Sequence, residues 1–139
     1  MNRIPEAFLD LVAPAPKFGA LATVGGDGHP QVTAVGFVHE PNGIFRLSMG
    51  SARQKTKNLL ADPHCTLFIL DPVDPFRALE IRARAVVEPD LDYVFADSMT
   101  ALYGVEEDLR ALDNRDHGTR CVVTLEPVKV NPFAMHTRR

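Results

Sequence analysis

The sequence predicts a mainly β fold of the α+β class, with about six antiparallel strands closing into a small barrel and helices packed outside it. Three observations carry this. Short apolar or alternating runs end repeatedly in turn chemistry, as at Gly25-Gly26-Asp27-Gly28, Glu40-Pro41-Asn42-Gly43 and Asp71-Pro72-Val73-Asp74-Pro75. Two longer stretches, one after Ser51 and one from Leu91 to Tyr103, carry helical periodicity. The chain has 139 residues, 45% hydrophobic and 24% charged, which suits a single domain able to bury its own core.

In chain order, Pro5 opens a short helix over Phe8, Leu9, Leu11 and Val12, and Pro14 and Pro16 end it. Phe18 to Val24 is a short apolar strand, closed by the glycine turn. The strand that returns, Pro30 to Glu40, carries no charge before its last residue, so both of its faces are expected to be covered. Asn42-Gly43 predicts a hairpin into a third strand over Ile44 to Ser48. Cys65 to Leu70 is a continuous apolar strand, and Leu79 to Val87 alternates apolar and charged residues as a half-exposed strand does. Leu91, Val94, Phe95, Met99, Leu102 and Tyr103 form the apolar stripe of one amphipathic helix ending before Gly104. The charged segment Val105 to Gly118 is expected as a partly helical surface excursion. Arg120 to Asn131 closes the sheet, with Pro127 forcing an edge, a bulge or a bend.

Chemistry gathers between Phe45 and Pro63. A strand end, a Gly50-Ser51 break and an amphipathic helix follow one another there, with Ser51 the expected N-cap and Asp62-Pro63 the stop. Arg53, Lys55 and Lys57 fall in the first two turns, where cations oppose the positive end of the helix dipole. An anion held by the free N–H groups of the helix start would compensate them. The net charge of -3 leaves no global basic field for nucleic acid, so such a site is local. No signal peptide core or membrane-length apolar run is present, and a cytoplasmic protein without membrane or nucleic-acid partners is expected.

Other candidate groups read as structural. Cys65 and Cys121 lie far apart inside apolar runs, as buried, reduced thiols do. His29 and His39 are read first as surface histidines, although either could lie near a bound ligand, and His64-Cys65 with His117 and Cys121 offers too few ligands for a metal. Glu106-Glu107-Asp108 is a solvated charge run, and Phe95 and Tyr103 are helix packing. Arg82 and Arg84 share one strand face, either as solvent charges or, at a subunit interface, within reach of a bound acidic group.

The order and spacing of several motifs resemble the pyridoxamine-phosphate-oxidase-like split β-barrel, and within it the small proteins that use the deazaflavin coenzyme F420. These motifs are Gly19-Ala-Leu-Ala-Thr-Val24 with Asp27-Gly-His-Pro-Gln-Val32, then Ala34-Val-Gly-Phe37, Ala52-Arg-Gln-Lys-Thr-Lys-Asn-Leu59, Asp62-Pro63 and Leu79-Glu-Ile-Arg-Ala-Arg-Ala85. The resemblance implies a six-stranded split barrel with peripheral helices, and a homodimer with two cofactor sites at its interface. It implies that Arg53, Lys55 and Asn58 hold the phosphate tail of the cofactor. It places the tricyclic ring along Gln31, Val32, Thr33, Ala34 and Val35 and against Ser48, Met49, Gly50 and Ser51. The chain departs from the vitamin oxidases: its second strand lacks their Arg and Lys, and it has no Trp and no counterpart of their C-terminal substrate segment, ending His136-Thr-Arg-Arg139.

No catalytic triad, P-loop or dinucleotide fingerprint appears, which suits an enzyme whose cofactor does the chemistry. The leading expectation is an F420-dependent oxidoreductase passing a hydride to a small conjugated, planar acceptor such as an enone, a quinone or a linear tetrapyrrole. The alternatives are an FMN-binding oxidoreductase of the same fold and a carrier or sensor that binds a cofactor or tetrapyrrole without turnover.

Overall fold

The computed structural model describes residues 3–135, so the expectation concerning His136 to Arg139 lies outside the described residues. Strands β1 (Lys17–Val24), β2 (Pro30–His39), β3 (Phe45–Gly50), β4 (His64–Leu70), β5 (Arg77–Pro89) and β6 (Arg120–Ala134) form a closed barrel in the order β1-β2-β3-β6-β5-β4, all neighbours antiparallel. Helix α1 (Gln54–Ala61) joins β3 to β4, while α2 (Val94–Tyr103) and α3 (Leu109–Arg115) fill the connection from β5 to β6. The period-2 pattern of each strand sends one set of side chains inward. Leu21, Phe37, Phe45, Leu47, Leu79 and Leu125 are fully buried there, each contributing about 1.5–3 kcal/mol of burial.

The six strands sit within a few residues of their expected bounds, and the helices differ more. The opening segment is a 3-10 helix, Glu6–Leu11, held to the barrel by Arg77, which bonds Asp10, Asp71 and the Ala7 carbonyl. The stripe from Leu91 to Tyr103 is not one helix. Asp92 and Tyr93 adopt positive φ after a 3-10 turn, and α2 begins only at Val94, with its first N–H groups at Phe95 and Ala96 bonded to the buried Asp90 carboxylate. Pro127 marks a bulge and not an edge: Arg82 pairs with Lys129 and Ala83 with Pro127, leaving Val128 as the extra residue.

One strand contradicts its expected environment. Only the inner face of β2 is covered, by Val35 and Phe37, while Val32 is 61% exposed and Ala34 is also exposed. Its partner β1 behaves alike, with Phe18 65% exposed. Absence of charge therefore marks a face left open by this chain, for a reason taken up below.

Candidate functional site

The barrel is split between β2 and β3. These strands pair only at Val38 with Arg46 and His39 with Phe45, then diverge, so the first half of β2 has no strand beside it on that edge. A cleft of about 470 Å³ occupies the gap. Gln31 and Thr33 line it from β2, Ser48, Met49 and Gly50 from β3, Arg53, Gln54 and Lys55 from the start of α1, Leu109 and Leu112 from α3, and Arg120 from β6.

Its chemistry is that of an unfinished anion site. Helix α1 starts two residues later than expected: Arg53, not Ser51, is the N-cap, and no side chain caps the helix. The Ser51 hydroxyl is instead taken by the Thr119 N–H at 2.8 Å, and the Thr56 hydroxyl donates to the Gly50 carbonyl at 2.7 Å, which together fix the turn. Among the described residues no side chain caps the N–H groups of the first turn, and Gln54 and Lys55, which carry two of them, line the cleft. Lys55 has no acidic partner among the described residues; burial, then the charges of Arg53 and Arg120, hold its pKa below the ordinary lysine value. The hydroxyls of Thr33 and Ser48 are buried with no hydrogen-bond partner. Each such group left unpaired costs about 1–3 kcal/mol, which a bound acceptor or donor would offset.

Below the cleft a polar scaffold is complete. Asn58 is buried at 3% exposure, donating to Thr23 and Gln31, both at 3.0 Å, and accepting from Gln54 at 2.8 Å. Arg120 is clamped by Asp113 through two bonds, Nε to Oδ2 at 3.0 Å and Nη2 to Oδ1 at 2.7 Å, with the Tyr93 hydroxyl also donating to Asp113 at 2.8 Å. Gly50 allows this pair to approach, since a Cβ there would lie 3.1 Å from Asp113 Oδ1.

Of the twelve residues singled out in the sequence, Gln31, Thr33, Ser48, Met49, Gly50, Arg53 and Lys55 meet at the cleft. Five do not line it. Val35 points into the core, Val32 and Ala34 face outward, Ser51 is consumed by the turn, and Asn58 lies beneath the cleft holding Gln31 and Gln54. Gln54, Leu109, Leu112 and Arg120 were not anticipated. The excursion after Val105 is a cleft wall and not a mere surface loop; Asp108, which caps α3 by accepting from Arg110 and Ala111, with Leu109 and Leu112 three apart, was the available signal.

A second hollow, of about 350 Å³, lies on the outer face between β1 and β4, lined by residues including Ala22, Val24, Pro30, Thr66, Arg82 and Val128. Its walls are mainly apolar, and it has neither a helix start nor an orphan hydroxyl. Cys65 beside it is pushed up to about 12 by burial, and burial also raises Cys121, so neither thiol is poised as a nucleophile. Arg82 is tied to Glu80 at 3.1 Å, and Arg84 and His29 are exposed. Among the described residues no group of acids, histidines and cysteines forms a metal site, and no helix is long and apolar enough to cross a membrane.

The family model of pyridoxamine 5'-phosphate oxidase matches residues 4–133. Among solved structures, an F420 reductase is 29% identical with a TM-score of 0.79, the match covering 92% of this chain and 98% of that one. A conserved hypothetical protein of Mycobacterium tuberculosis shares the fold at 21% identity and a TM-score of 0.70, over 98% of this chain and 92% of its own. A Listeria innocua protein provisionally assigned as a pyridoxamine 5'-phosphate oxidase does so at 20% identity and a TM-score of 0.66, over 91% and 95%. No curated protein matches the sequence.

Proposed function

The chain belongs to the pyridoxamine 5'-phosphate oxidase family, and from that premise we propose that it is an oxidoreductase that holds coenzyme F420 in the cleft between β2 and β3. The observation that carries the proposal is the unfinished anion site: an uncapped helix start, a lysine without an acid and two orphan hydroxyls around one opening. The likeness to an F420 reductase over nearly the whole of both chains supports the deazaflavin.

In this reading the acidic tail of the cofactor lies at Arg53 and Lys55 and on the N–H groups of α1, where charge-assisted bonds are strongest. Gln31, Thr33 and Ser48 offer polar groups to the edge of the ring, and Met49, Leu109 and Leu112 offer apolar walls. When bound in its reduced form, the deazaflavin supplies a hydride. The residues of the cleft orient it and keep water from its faces. No carboxylic acid or histidine lines the cleft among the described residues, and the accompanying proton comes from solvent or from a mobile side chain.

The same reading includes a homodimer. The outward faces of β1, β2 and β4 carry no acidic or lysine/arginine side chain, and they expose Phe18, Val24, Val32 and Phe68. A second copy of the chain covers this face, and brings Arg82 and Arg84 of one protomer toward the cleft of the other.

Equilibrium binding of F420 and of FMN to the cofactor-free protein, read by their fluorescence, tests the assignment. Preferential F420 binding that weakens at least tenfold in Lys55→Met is expected. Preferential FMN binding would replace the deazaflavin by the flavin in the same cleft. Binding of neither at micromolar concentration would sink the proposal.

A further inference from the structure

We infer that a smaller hollow beside the cleft is a second ligand site, built for a largely apolar molecule that carries an oxygen acceptor at one end; this rests on the reading of the larger cleft as the cofactor site. The hollow measures about 220 Å³. Its walls are Phe18 from β1, Gly36 from β2, and Met99, Thr100, Tyr103 and Val105 from α2 and the turn after it. Three residues, Ser48, Leu109 and Arg120, line both hollows, so the two share one boundary.

The apolar walls are rigidly placed. The Tyr103 hydroxyl accepts from the backbone N–H groups of Lys17 at 3.1 Å and Phe37 at 3.0 Å and donates to the Lys17 carbonyl at 2.8 Å, which pins the end of α2 across β1 and β2. Its ring stands edge-on to Phe18, with centroids 5.4 Å apart. Gly36 is needed beneath that ring, because a Cβ there would meet Tyr103 Cε2 at 2.7 Å. The mutually perpendicular rings of Phe18 and Tyr103 and the Met99 thioether thus give the hollow an apolar lining.

The polar end is equally defined. Ser48 Oγ is buried without a partner at the shared boundary. Arg120 is 7% exposed and spends Nε and one Nη2 proton on Asp113, while Nη1 has no partner among the described residues. Its guanidinium therefore presents donors to the hollows while the acid behind holds it still. A hydroxyl and a fixed guanidinium at the mouth of an apolar slot recognise a carbonyl or carboxylate oxygen, and they place it next to the cofactor cleft.

The test uses 2-naphthoate and its neutral analogue 2-naphthamide as probes, with calorimetric binding to the full chain. Val105 is 46% exposed, so Val105→Trp fills the slot from its outer wall without forcing the core apart. Saturable 2-naphthoate binding that falls about tenfold or more in Val105→Trp, with F420 binding unchanged within about twofold, is the expected result. Arg120→Lys keeps the charge but loses the fork, and should reduce the preference for naphthoate over naphthamide at a melting temperature that shows the variant folded. Naphthoate binding that ignores Val105→Trp, or that pyrophosphate displaces, would put the probe in the larger cleft and overturn the inference, as would no binding at millimolar concentration. If naphthoate binds as expected while F420 and FMN do not, the second site stands and the cofactor reading falls.

Discussion

Lys55 sits among cations, and its proton is held less firmly for that reason. Burial and the neighbouring Arg53 and Arg120 depress its pKa in the folded chain. The sign follows directly: with a folded-state pKa below the unfolded one, folding is penalised while the lysine is charged in both states, and the penalty is relieved as pH rises through the folded pKa. Lys55→Met should therefore raise the melting temperature of the ligand-free protein at neutral pH while it weakens anion binding. A bound anion reverses the depression by favouring the charged form. The ratio of pyrophosphate affinities of the natural chain and Lys55→Met, measured by calorimetry so that the ionisation of the ligand itself cancels, should accordingly be constant at neutral pH and fall at a pH below the usual lysine value of about 10.4, as Lys55 loses its proton; a flat ratio through that range would show that Lys55 does not contact the anion. Much of this was legible in the sequence, because three cations in the first turns of a helix are a local contradiction that needs no fold to be seen. The role of Asn58 was not, since whether an amide on a helix faces a ligand or a buried Thr23 depends on which strand lies under it.

At the scale of elements, the cleft exists because two strands stop pairing. The hairpin at Asn42-Gly43 announces that β2 and β3 are neighbours, but nothing in either strand's alternation says that they separate after Val38 and Arg46. The wall that closes the gap was obscured for a related reason. Arg120 precedes the apolar run Cys121-Val122-Val123, and a charge in that place demands a partner; the partner, Asp113, belongs to a helix whose short length hid it in a charged segment. That ion pair is buried at both ends, with Asp113 at 2% and Arg120 at 7% exposure. Asp113→Ala should destabilise the protein by about 3–5 kcal/mol in urea unfolding, because it strands a buried guanidinium. A loss under about 1 kcal/mol would mean that the excursion is fastened elsewhere. The broken stripe between Leu91 and Tyr103 shows the same limit: apolar periodicity continues through Asp92 and Tyr93 although their backbone is left-handed, and Leu91 and Val94 are left exposed while Phe95 and Met99 are buried, so the stripe marks neither where the helix begins nor one buried side.

For the whole molecule, the open face of β1, β2 and β4 carries the largest consequence. The sequence correctly reads as uncharged there, and the single chain leaves that surface bare, so the covering is supplied by association in the reading proposed above. Val32→Glu places a charge at the centre of the face, on a side chain 61% exposed, where it costs the folded monomer little. Sedimentation should show a dimer for the natural chain and a monomer for this variant. A natural chain that sediments as a monomer at micromolar concentration would remove the dimer from the account.

The central claim is that the split between β2 and β3 is the cofactor site, and amide chemical-shift mapping during titration with F420 tests it most directly. The account predicts that the largest shifts fall on Gln54, Lys55 and Thr56 at the start of α1 and on Gln31 to Val35 along the open edge of β2. Shifts centred instead on Ala22 to Val24 and His64 to Thr66, which line the outer hollow, would contradict it.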